Sequence, residues 1–197
     1  MTLWLVRHGQ TTFNAEGRIQ GANDSPLTAL GEAQAARVGR LLADLTGHES
    51  DRVMWCSPQG RARRTAEIIR ETAGITGPLL IEPRLREITL GSWDGLTDEE
   101  IESVTPGACE RATRYDWYFR SPDGETHAEI QERLGSWLAE MAQGSGCRII
   151  VSHGLSGRVL RGLYAGMDPM EALKLDVPQD AVFRLDGGQI KRFDARA

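Results

Sequence analysis

The sequence has few cysteines and no long apolar run. Its three cysteines, Cys56, Cys109 and Cys147, are scattered, odd in number and without a C-x-x-C pair. We therefore expect neither a disulfide framework nor a zinc site, and a reducing cytoplasm is the predicted location. No apolar stretch reaches 18 residues, and the start of the chain has no basic residue leading into a long apolar segment. These absences predict no membrane partner and no signal peptide.

An excess of basic residues is also missing, since 28 acidic residues outnumber 23 basic ones and the net charge is −5. A protein that binds nucleic acid needs a basic surface, so nucleic acid is not an expected partner. Lysine is scarce as well: Lys174 and Lys191 are the only two, which leaves 21 arginines. Any anion site must therefore be a local pocket built from planar, bidentate guanidinium groups.

Short apolar runs alternate with helical patterns along the chain. The runs typical of strands lie at residues 2–6, 53–57, 79–81 and 148–152. The helical patterns lie at residues 28–45, 60–72 and 154–165, and the S/T-x-x-E capping boxes Thr97–Glu100 and Thr126–Glu129 predict two further helix starts. Residues 182–193 form two alternating runs around Gly-Gly, which predicts a C-terminal β-hairpin.

This alternation predicts an α/β fold, a three-layer sandwich whose mostly parallel central sheet carries helices on both faces. We expect one domain over residues 1–197. The stretch at about 105–125 is the least regular part of the sequence and is interpreted as an insertion or lid.

Two of the four histidines stand directly after predicted strands. His8 and His153 are each followed by a glycine, which lets the backbone turn sharply and approach a ligand closely. Because ligands of open α/β sheets bind beyond the carboxyl ends of the strands, this pair predicts a site there, although each histidine alone could simply end a strand. His48 and His127 lack this setting and are interpreted as solvated surface residues.

Two further residues could reach the same edge of the sheet. Arg61 falls in the first turn of a predicted helix, where a cation opposes the helix dipole unless a bound anion reverses the sign. Glu87 follows the third predicted strand. Taken alone, Arg61 could be a solvated arginine and Glu87 a surface glutamate.

Together these blocks resemble the histidine phosphatase superfamily, which includes cofactor-dependent phosphoglycerate mutase and many phosphatases. The resemblance rests on RHGQT followed by Asn14, on SPQGRARRTA with Arg61, on LREITLGSWDG with Glu87 and on VSHG with His153. The blocks occur in the family's order and cover most of residues 2–157. Gln10, where the family often has Glu, is a minor departure, and the sequence is most similar to the short broad-specificity phosphatases.

The resemblance implies a catalytic set and a substrate-binding set. His8 would be the nucleophile that forms a phosphohistidine, and Glu87 would protonate the leaving oxygen and then activate water. The other catalytic residues would be Arg7, Arg61 and His153. The implied substrate-binding residues are Arg7, Asn14, Gln20, Gly21, Arg61, Glu87, His153, Gly154 and Leu155.

These roles require a neutral His8 and a protonated Glu87. Arginines beside His8 favour its neutral form, and a bound phosphate dianion favours the protonated form of Glu87. The sequence has no paired aspartates suited to Mg²⁺, so we expect no metal and no cofactor. The predicted partner is a small phosphorylated metabolite, and the chain could be a monomer or a homodimer.

The predicted activity is hydrolysis of small phosphomonoesters, with two alternatives inside the family. A 2,3-bisphosphoglycerate-dependent phosphoglycerate mutase would usually be longer and carry an arginine- and proline-rich insertion. Here the corresponding stretch holds Trp117, Tyr118 and Phe119, which could line the leaving-group side of a pocket or only anchor the insertion. The second alternative is an α-ribazole-phosphate phosphatase.

Three hypotheses from other classes are weaker. Ser156 near His153 suggests a serine hydrolase, but the G-x-S-x-G pattern breaks at Arg158. A phosphate-binding module without catalysis would be expected if a catalytic residue were replaced, but every key residue matches the family pattern. A dinucleotide-binding fold would need G-x-G-x-x-G after the first strand, and that motif is missing.

Overall fold

The first strand of the chain lies in the interior of a six-stranded sheet. A computed structural model describes residues 2–47, 52–108, 110, 113, 115–144 and 146–195. The strands are β1 (Thr2–Arg7), β2 (Val53–Cys56), β3 (Leu79–Ile81), β4 (Cys147–Ser152), β5 (Ala181–Asp186) and β6 (Gln189–Asp194). Their order is β3-β2-β4-β1-β5-β6; the first four are parallel to one another, and β5 and β6 are antiparallel.

Helices cover both faces of the sheet. They are α1 (Thr12–Ala15), α2 (Ala29–Thr46), α3 (Gly60–Thr72), α4 (Asp98–Val104), α5 (His127–Ala142), α6 (Gly154–Ala165) and α7 (Pro169–Ala172). Three 3₁₀ turns lie at Pro83–Leu85, Gly91–Trp93 and Trp117–Arg120. The predicted α/β fold with a mostly parallel sheet and a C-terminal hairpin is confirmed.

Alternation along β1 divides the core into two layers. Trp4 and Val6 point to the side covered by α2 and α3, whereas Leu3 and Leu5 point to the side covered by α5 and α6. All four side chains are at most 5% exposed. Burial on both faces explains why the strand is a continuous apolar run, TLWLV, rather than an alternating one.

Local signals place the helix starts where the sequence predicts them. Thr28 Oγ1 accepts the N–H of Gly31 at 3.1 Å and begins α2. The capping boxes of Thr97 and Thr126 both form and begin α4 and α5. Each such cap stabilises its helix by about 0.5–2 kcal/mol.

The register of the sheet brings together the turns that follow β1 and β4. Arg7 of β1 pairs with Ser152 of β4, so the two strands end side by side. The N–H of His8 then donates to the carbonyl of Ser152 at 3.0 Å, and the N–H of Ser57, just past β2, donates to the carbonyl of Val151 at 3.0 Å. The loops that follow these three neighbouring parallel strands therefore all begin at one edge of the sheet.

Part of the predicted insertion lies against the core. Trp117, Tyr118 and Phe119 are half-buried and pack against the α5–α6 side. His127 is not the solvated surface residue that the sequence suggested: it is half-buried and its ring lies 4.8 Å from that of Phe119. His48 and Cys109 lie outside the described residues. No helix within the described ranges is both long and apolar enough to cross a membrane.

Candidate active site

The predicted nucleophile lies directly past β1 and is buried. His8 is 2% exposed, and its Nδ1 lies 2.8 Å from the carbonyl oxygen of Gly9. A carbonyl oxygen only accepts, so we assign the ring proton to Nδ1. The other ring nitrogen, Nε2, then carries the lone pair that an attack on phosphorus requires.

Glycine is required after His8 because two backbones nearly touch there. A Cβ on Gly9 would lie 2.3 Å from the carbonyl oxygen of Gly31 in the first turn of α2. The N–H of Gly9 donates to Thr65 Oγ1 at 3.1 Å, which ties the turn to α3. The close approach lets α2 and α3 hold the His8 turn from one side.

Arg7 lies between the two strand ends. Its Nη1 donates to the carbonyl of Val177 at 2.6 Å, while its buried Nε has no hydrogen-bond partner within the described part of the chain. Neighbouring carbonyls bind two more arginines: Leu175 accepts from Arg158 at 2.5 Å, and Asp176 accepts from Arg161. Segment 175–177, which precedes β5, is therefore bound by three guanidinium groups.

Arg61 is buried at the start of α3, and the anion at this helix end belongs to the chain itself. Asp24 accepts the N–H groups of Gly60 and Arg61 and pairs with Arg61 Nη1 at 3.1 Å. The dipole argument for a bound phosphate at this helix end is therefore wrong, because the Asp24 carboxylate supplies the compensating charge. Arg61 is 1% exposed, and its buried Nε has no partner among the described residues, so one donor is still available.

His153 begins α6 and hydrogen-bonds away from His8. Its Nε2 lies 2.7 Å from Ser57 Oγ, and its buried Nδ1 has no partner among the residues described. The two imidazole rings are 5.1 Å apart between centroids and meet edge to face. Ser57 was missed in the sequence, although it follows a strand at the same edge as both histidines.

Glu87 is held by the first turn of α6. Its Oε1 accepts from Ser156 N–H at 2.9 Å and Ile88 N–H at 3.1 Å and lies 2.9 Å from Ser156 Oγ, and its Oε2 accepts from Leu155 N–H at 3.1 Å. Ser156 is fully buried and bonds to Glu87 and to the carbonyl of Arg86 rather than to His153. This geometry removes the serine-hydrolase alternative.

Three other predicted binding residues lie on α1 and in the loop after it. Asn14 Oδ1 accepts from Thr11 N–H at 3.3 Å and from Gln179 at 2.9 Å, which leaves its NH₂ group as the available donor. Gln20 is buried and accepts from Ser25 at 3.0 Å. The carbonyl of Gly21 accepts from Arg61 Nη2 at 3.0 Å.

One cavity of about 200 Å³ joins most of these groups. Of the predicted residues it is lined by Arg7, His8, Asn14, Gln20, Gly21, Arg61, Glu87, Gly154 and Leu155. His153 does not line it. The cavity wall also includes Arg18, Tyr118, Arg158 and Val177, and of these the sequence indicated only Tyr118.

Gln59 is a connecting residue that sequence reasoning missed. Its Oε1 accepts the N–H of Glu87 at 2.8 Å, and its Nε2 donates to the carbonyl of Gly21 at 2.8 Å. One side-chain amide thus connects the part of the cavity wall at Gly21 with the part at Glu87. No sequence pattern marks it, because a polar residue before a helix is ordinarily only a cap.

Burial controls the charge of both histidines. Desolvation first, then the charges of Arg7 and Arg61, lower the pKa of His8 well below its ordinary value. Desolvation and then Arg61 lower the pKa of His153 in the same way. The neutral His8 predicted from neighbouring arginines is therefore favoured mainly by burial. Within the described ranges, no group of three or more His, Cys, Asp or Glu side chains is placed to hold a metal ion.

Comparison with known proteins places this geometry in a family. The model of the histidine phosphatase superfamily, branch 1, matches residues 3–192. A protein of Escherichia fergusonii named "Probable phosphoglycerate mutase GpmB" is 36% identical over 197 residues, covering 94% of this chain and 85% of its own. The match therefore extends over nearly the whole sequence.

Solved structures agree in fold. The α-ribazole phosphatase of Shigella flexneri has a TM-score of 0.82 and 26% identity, with 100% of this chain and 96% of that chain covered. A mycobacterial glucosyl-3-phosphoglycerate phosphatase, solved with VO3, has a TM-score of 0.80 and 26% identity, with 100% and 98% covered. Members of the superfamily act on phosphate esters as phosphatases or mutases, and this chain belongs to the histidine phosphatase superfamily.

Proposed function

We propose that this protein hydrolyses small phosphomonoesters, without a metal ion, through a phosphohistidine on His8. The observation that carries the proposal is the hydrogen bond from His8 Nδ1 to the Gly9 carbonyl at 2.8 Å. It leaves the Nε2 lone pair available in the cavity that Arg7 and Arg61 also line.

The first step is transfer of the phosphoryl group to His8. The Nε2 lone pair forms a bond to phosphorus while the bond from phosphorus to the ester oxygen breaks, and that oxygen takes a proton from Glu87. Arg7 and Arg61, each with a donor to spare, bind the phosphoryl oxygens and stabilise the charge that spreads over them. The alcohol then leaves.

The second step is hydrolysis of the phosphohistidine. Water attacks phosphorus and gives a proton to the Glu87 carboxylate, and the His8 nitrogen departs with its electron pair. The oxygen of Glu87 best placed for both transfers is Oε2, because it accepts one hydrogen bond, whereas Oε1 accepts two backbone N–H groups and also contacts Ser156 Oγ. The net reaction consumes ester and water and releases alcohol and phosphate.

His153 acts beside the nucleophile rather than on the cavity wall. Its ring lies edge to face with His8; with Ser57 Oγ donating to Nε2, the neutral ring carries its proton on Nδ1, which is buried, has no partner among the described residues and can donate to a phosphoryl oxygen. It contributes to holding the phosphoryl oxygens once the phosphoryl group is bonded to His8.

A phosphoglycerate mutase is the second candidate, favoured by the name of the relative at 36% identity. In a mutase the same phosphohistidine would pass its phosphoryl group to a substrate hydroxyl instead of water. The solved relatives named α-ribazole phosphatase and glucosyl-3-phosphoglycerate phosphatase favour hydrolysis. Priming by 2,3-bisphosphoglycerate distinguishes the two, since only a mutase depends on it.

The testing experiment is hydrolysis of p-nitrophenyl phosphate in excess EDTA, with and without 2,3-bisphosphoglycerate. We expect wild-type turnover that neither EDTA nor the bisphosphate changes, with release of inorganic phosphate. Loss of activity in EDTA would disprove metal independence. Phosphoglycerate conversion that requires the bisphosphate, with no ester hydrolysis, would establish the mutase instead.

A further inference from the structure

The wall of the cavity is rich in arginine. Four arginines line it, Arg7, Arg18, Arg61 and Arg158, against the single carboxylate of Glu87. The four arginines differ in their pairing with carboxylates and in their distance from the phosphoryl end of the cavity.

Two of the four arginines already have carboxylate partners. Arg18 holds Glu100 through both terminal nitrogens, at 2.6 and 3.1 Å, and Arg61 holds Asp24 at 3.1 Å. Arg7 and Arg158 pair with no carboxylate among the described residues. Arg7 lies at the end of β1, beside the nucleophile, and takes part in holding the phosphoryl group in the proposed reaction.

Of these four arginines, Arg158 is therefore the one with neither a carboxylate partner among the described residues nor a role at the phosphoryl group. Its Nε donates to the carbonyl of Leu175 at 2.5 Å, and neither Nη1 nor Nη2 has a hydrogen-bond partner within the described part of the chain. The side chain is half-buried on the cavity wall. A guanidinium held by Nε alone presents its two terminal nitrogens as a fork, which suits a carboxylate or phosphate group.

Helical spacing places Arg158 away from the reacting phosphorus. Gly154 and Arg158 are four residues apart on α6 and so share one face of the helix. A Cβ on Gly154 would lie 3.5 Å from Arg7 Nε, so Gly154 marks the phosphoryl end of the cavity. Arg158 stands about one helical turn, roughly 5 Å, farther along.

We infer that the ester's leaving group carries a second anionic group, a carboxylate or a phosphate, and that Arg158 binds it. This inference rests on the proposed function. It makes Arg158 a specificity-determining residue, which favours anionic leaving groups over neutral ones of the same size.

The test compares ligands that differ in one group. 3-Phosphoglycerate and glycerol 3-phosphate differ by a carboxylate against a hydroxymethyl group, and 1,3-propanediol bisphosphate against its monophosphate tests a second phosphate. We would measure kcat/KM for all four with wild type, Arg158→Gln and Arg158→Lys. Arg64→Gln, an exposed arginine on α3 that pairs with Glu32, is the matched control.

We expect wild type to prefer an anionic leaving group in at least one pair by tenfold or more. Arg158→Gln should reduce that preference at least tenfold, Arg158→Lys should reduce it less, and Arg64→Gln should leave it unchanged. The pair that shows the preference identifies the second group as carboxylate or phosphate. No preference in either pair, or an equal loss for charged and neutral esters in Arg158→Gln, would overturn the inference.

Binding separates this inference from the proposed function. In His8→Ala, which cannot form the phosphohistidine, calorimetry gives Kd for the same four ligands with and without Arg158→Gln. If wild type turns over no ester, the proposed function fails while the Kd ratios still test Arg158. If esters are hydrolysed and the Kd ratios do not depend on Arg158, only the inference fails.

Discussion

The turns after β1 and β4 have nearly the same sequence setting and different structures. Each has a histidine between a buried strand and a glycine, and the strands end side by side. His8 points its ring into the cavity and uses Nδ1 to bind the next carbonyl. His153 is followed at once by helix α6, does not line the cavity and hydrogen-bonds to Ser57.

The difference arises from the path of the chain beyond each histidine. At Gly9 the chain passes α2 so closely that no side chain fits, and helix α1 begins only at Thr12. After His153 the helix α6 begins immediately, and its N–H groups are directed at Glu87. One turn thus presents the proposed nucleophile, and the other presents a helix end that orients the proposed proton donor.

Replacing each histidine by alanine is the strongest test of the different roles assigned to His8 and His153. We expect His8→Ala to lower kcat on p-nitrophenyl phosphate by at least about 10⁴-fold and to abolish the acid-labile phosphoenzyme, because the attacking atom is gone. His153→Ala should lower kcat by about 10²–10³-fold and still form phosphoenzyme, because only a stabilising group is lost. Phosphoenzyme trapping with rapid quench measures both. Phosphoenzyme on His8→Ala, or none on His153→Ala, would reverse the assignment.

Glu87→Gln tests whether the helix end after His153 serves proton transfer. The amide keeps an acceptor oxygen for the N–H groups but has no proton to give, so kcat should fall by about 10²–10⁴-fold on an alkyl phosphate. The fall should be smaller on p-nitrophenyl phosphate, whose leaving oxygen needs little protonation. Steady-state assays on both esters measure this. Equal losses would mean that Glu87 acts through structure alone.

Ser57→Ala tests the His153 turn alone, because it removes the hydrogen-bond partner of His153 and leaves His8 intact. The buried Nε2 of His153 would be unsatisfied, so the free energy of unfolding should fall by about 1–3 kcal/mol. Urea titration measures the loss. Thr46→Ser, a buried hydroxyl on α2 far from the cavity, is a control of similar size and should cost less. An unchanged stability would show that the Ser57 contact contributes nothing to folding.

The last expected effect concerns the pH dependence of stability, and both histidines should contribute to it. Their pKa values are lowered in the folded protein, so their contribution to stability is fully present above about pH 6.5 and is lost as the pH falls towards the folded values. The free energy of unfolding should fall on acidification by up to about 1.4 kcal/mol per pH unit for each histidine.

Urea titrations from about pH 7.5 to about pH 5.5 measure that slope. His8→Asn and His153→Asn should each be less sensitive to pH than wild type. A slope that neither substitution changes would assign the acid sensitivity to other groups, such as paired carboxylates.

Much of the fold could be predicted because its signals are local. Thr28, Thr126 and the Gly187–Gly188 turn, with φ of +56° and +76°, each determine an element boundary through neighbouring residues alone. The order of strands was not predictable this way, because β1 lies between partners that are far away in sequence.

The site residues show the same division between local and long-range signals. His8, Glu87 and Arg61 could be selected because they follow strands or begin a helix and match a family pattern. Gln59 and Ser57 could not, since their roles depend on contacts with residues at least 28 positions away. Arg61 was chosen partly for a wrong reason, since Asp24, 37 residues earlier, neutralises the helix end.

The position of β1 has a consequence for how the chain folds. This strand carries Arg7 and leads into His8, and it is synthesised before both of its neighbours, β4 and β5, which begin at Cys147 and Ala181. Until then TLWLV has no strand to pair with, and such non-local pairing slows folding and leaves an apolar segment exposed to aggregation. The proposed site therefore cannot assemble on the ribosome before β4 and β5 have been synthesised, and a nascent chain stalled earlier would hold the proposed nucleophile next to an unpaired strand.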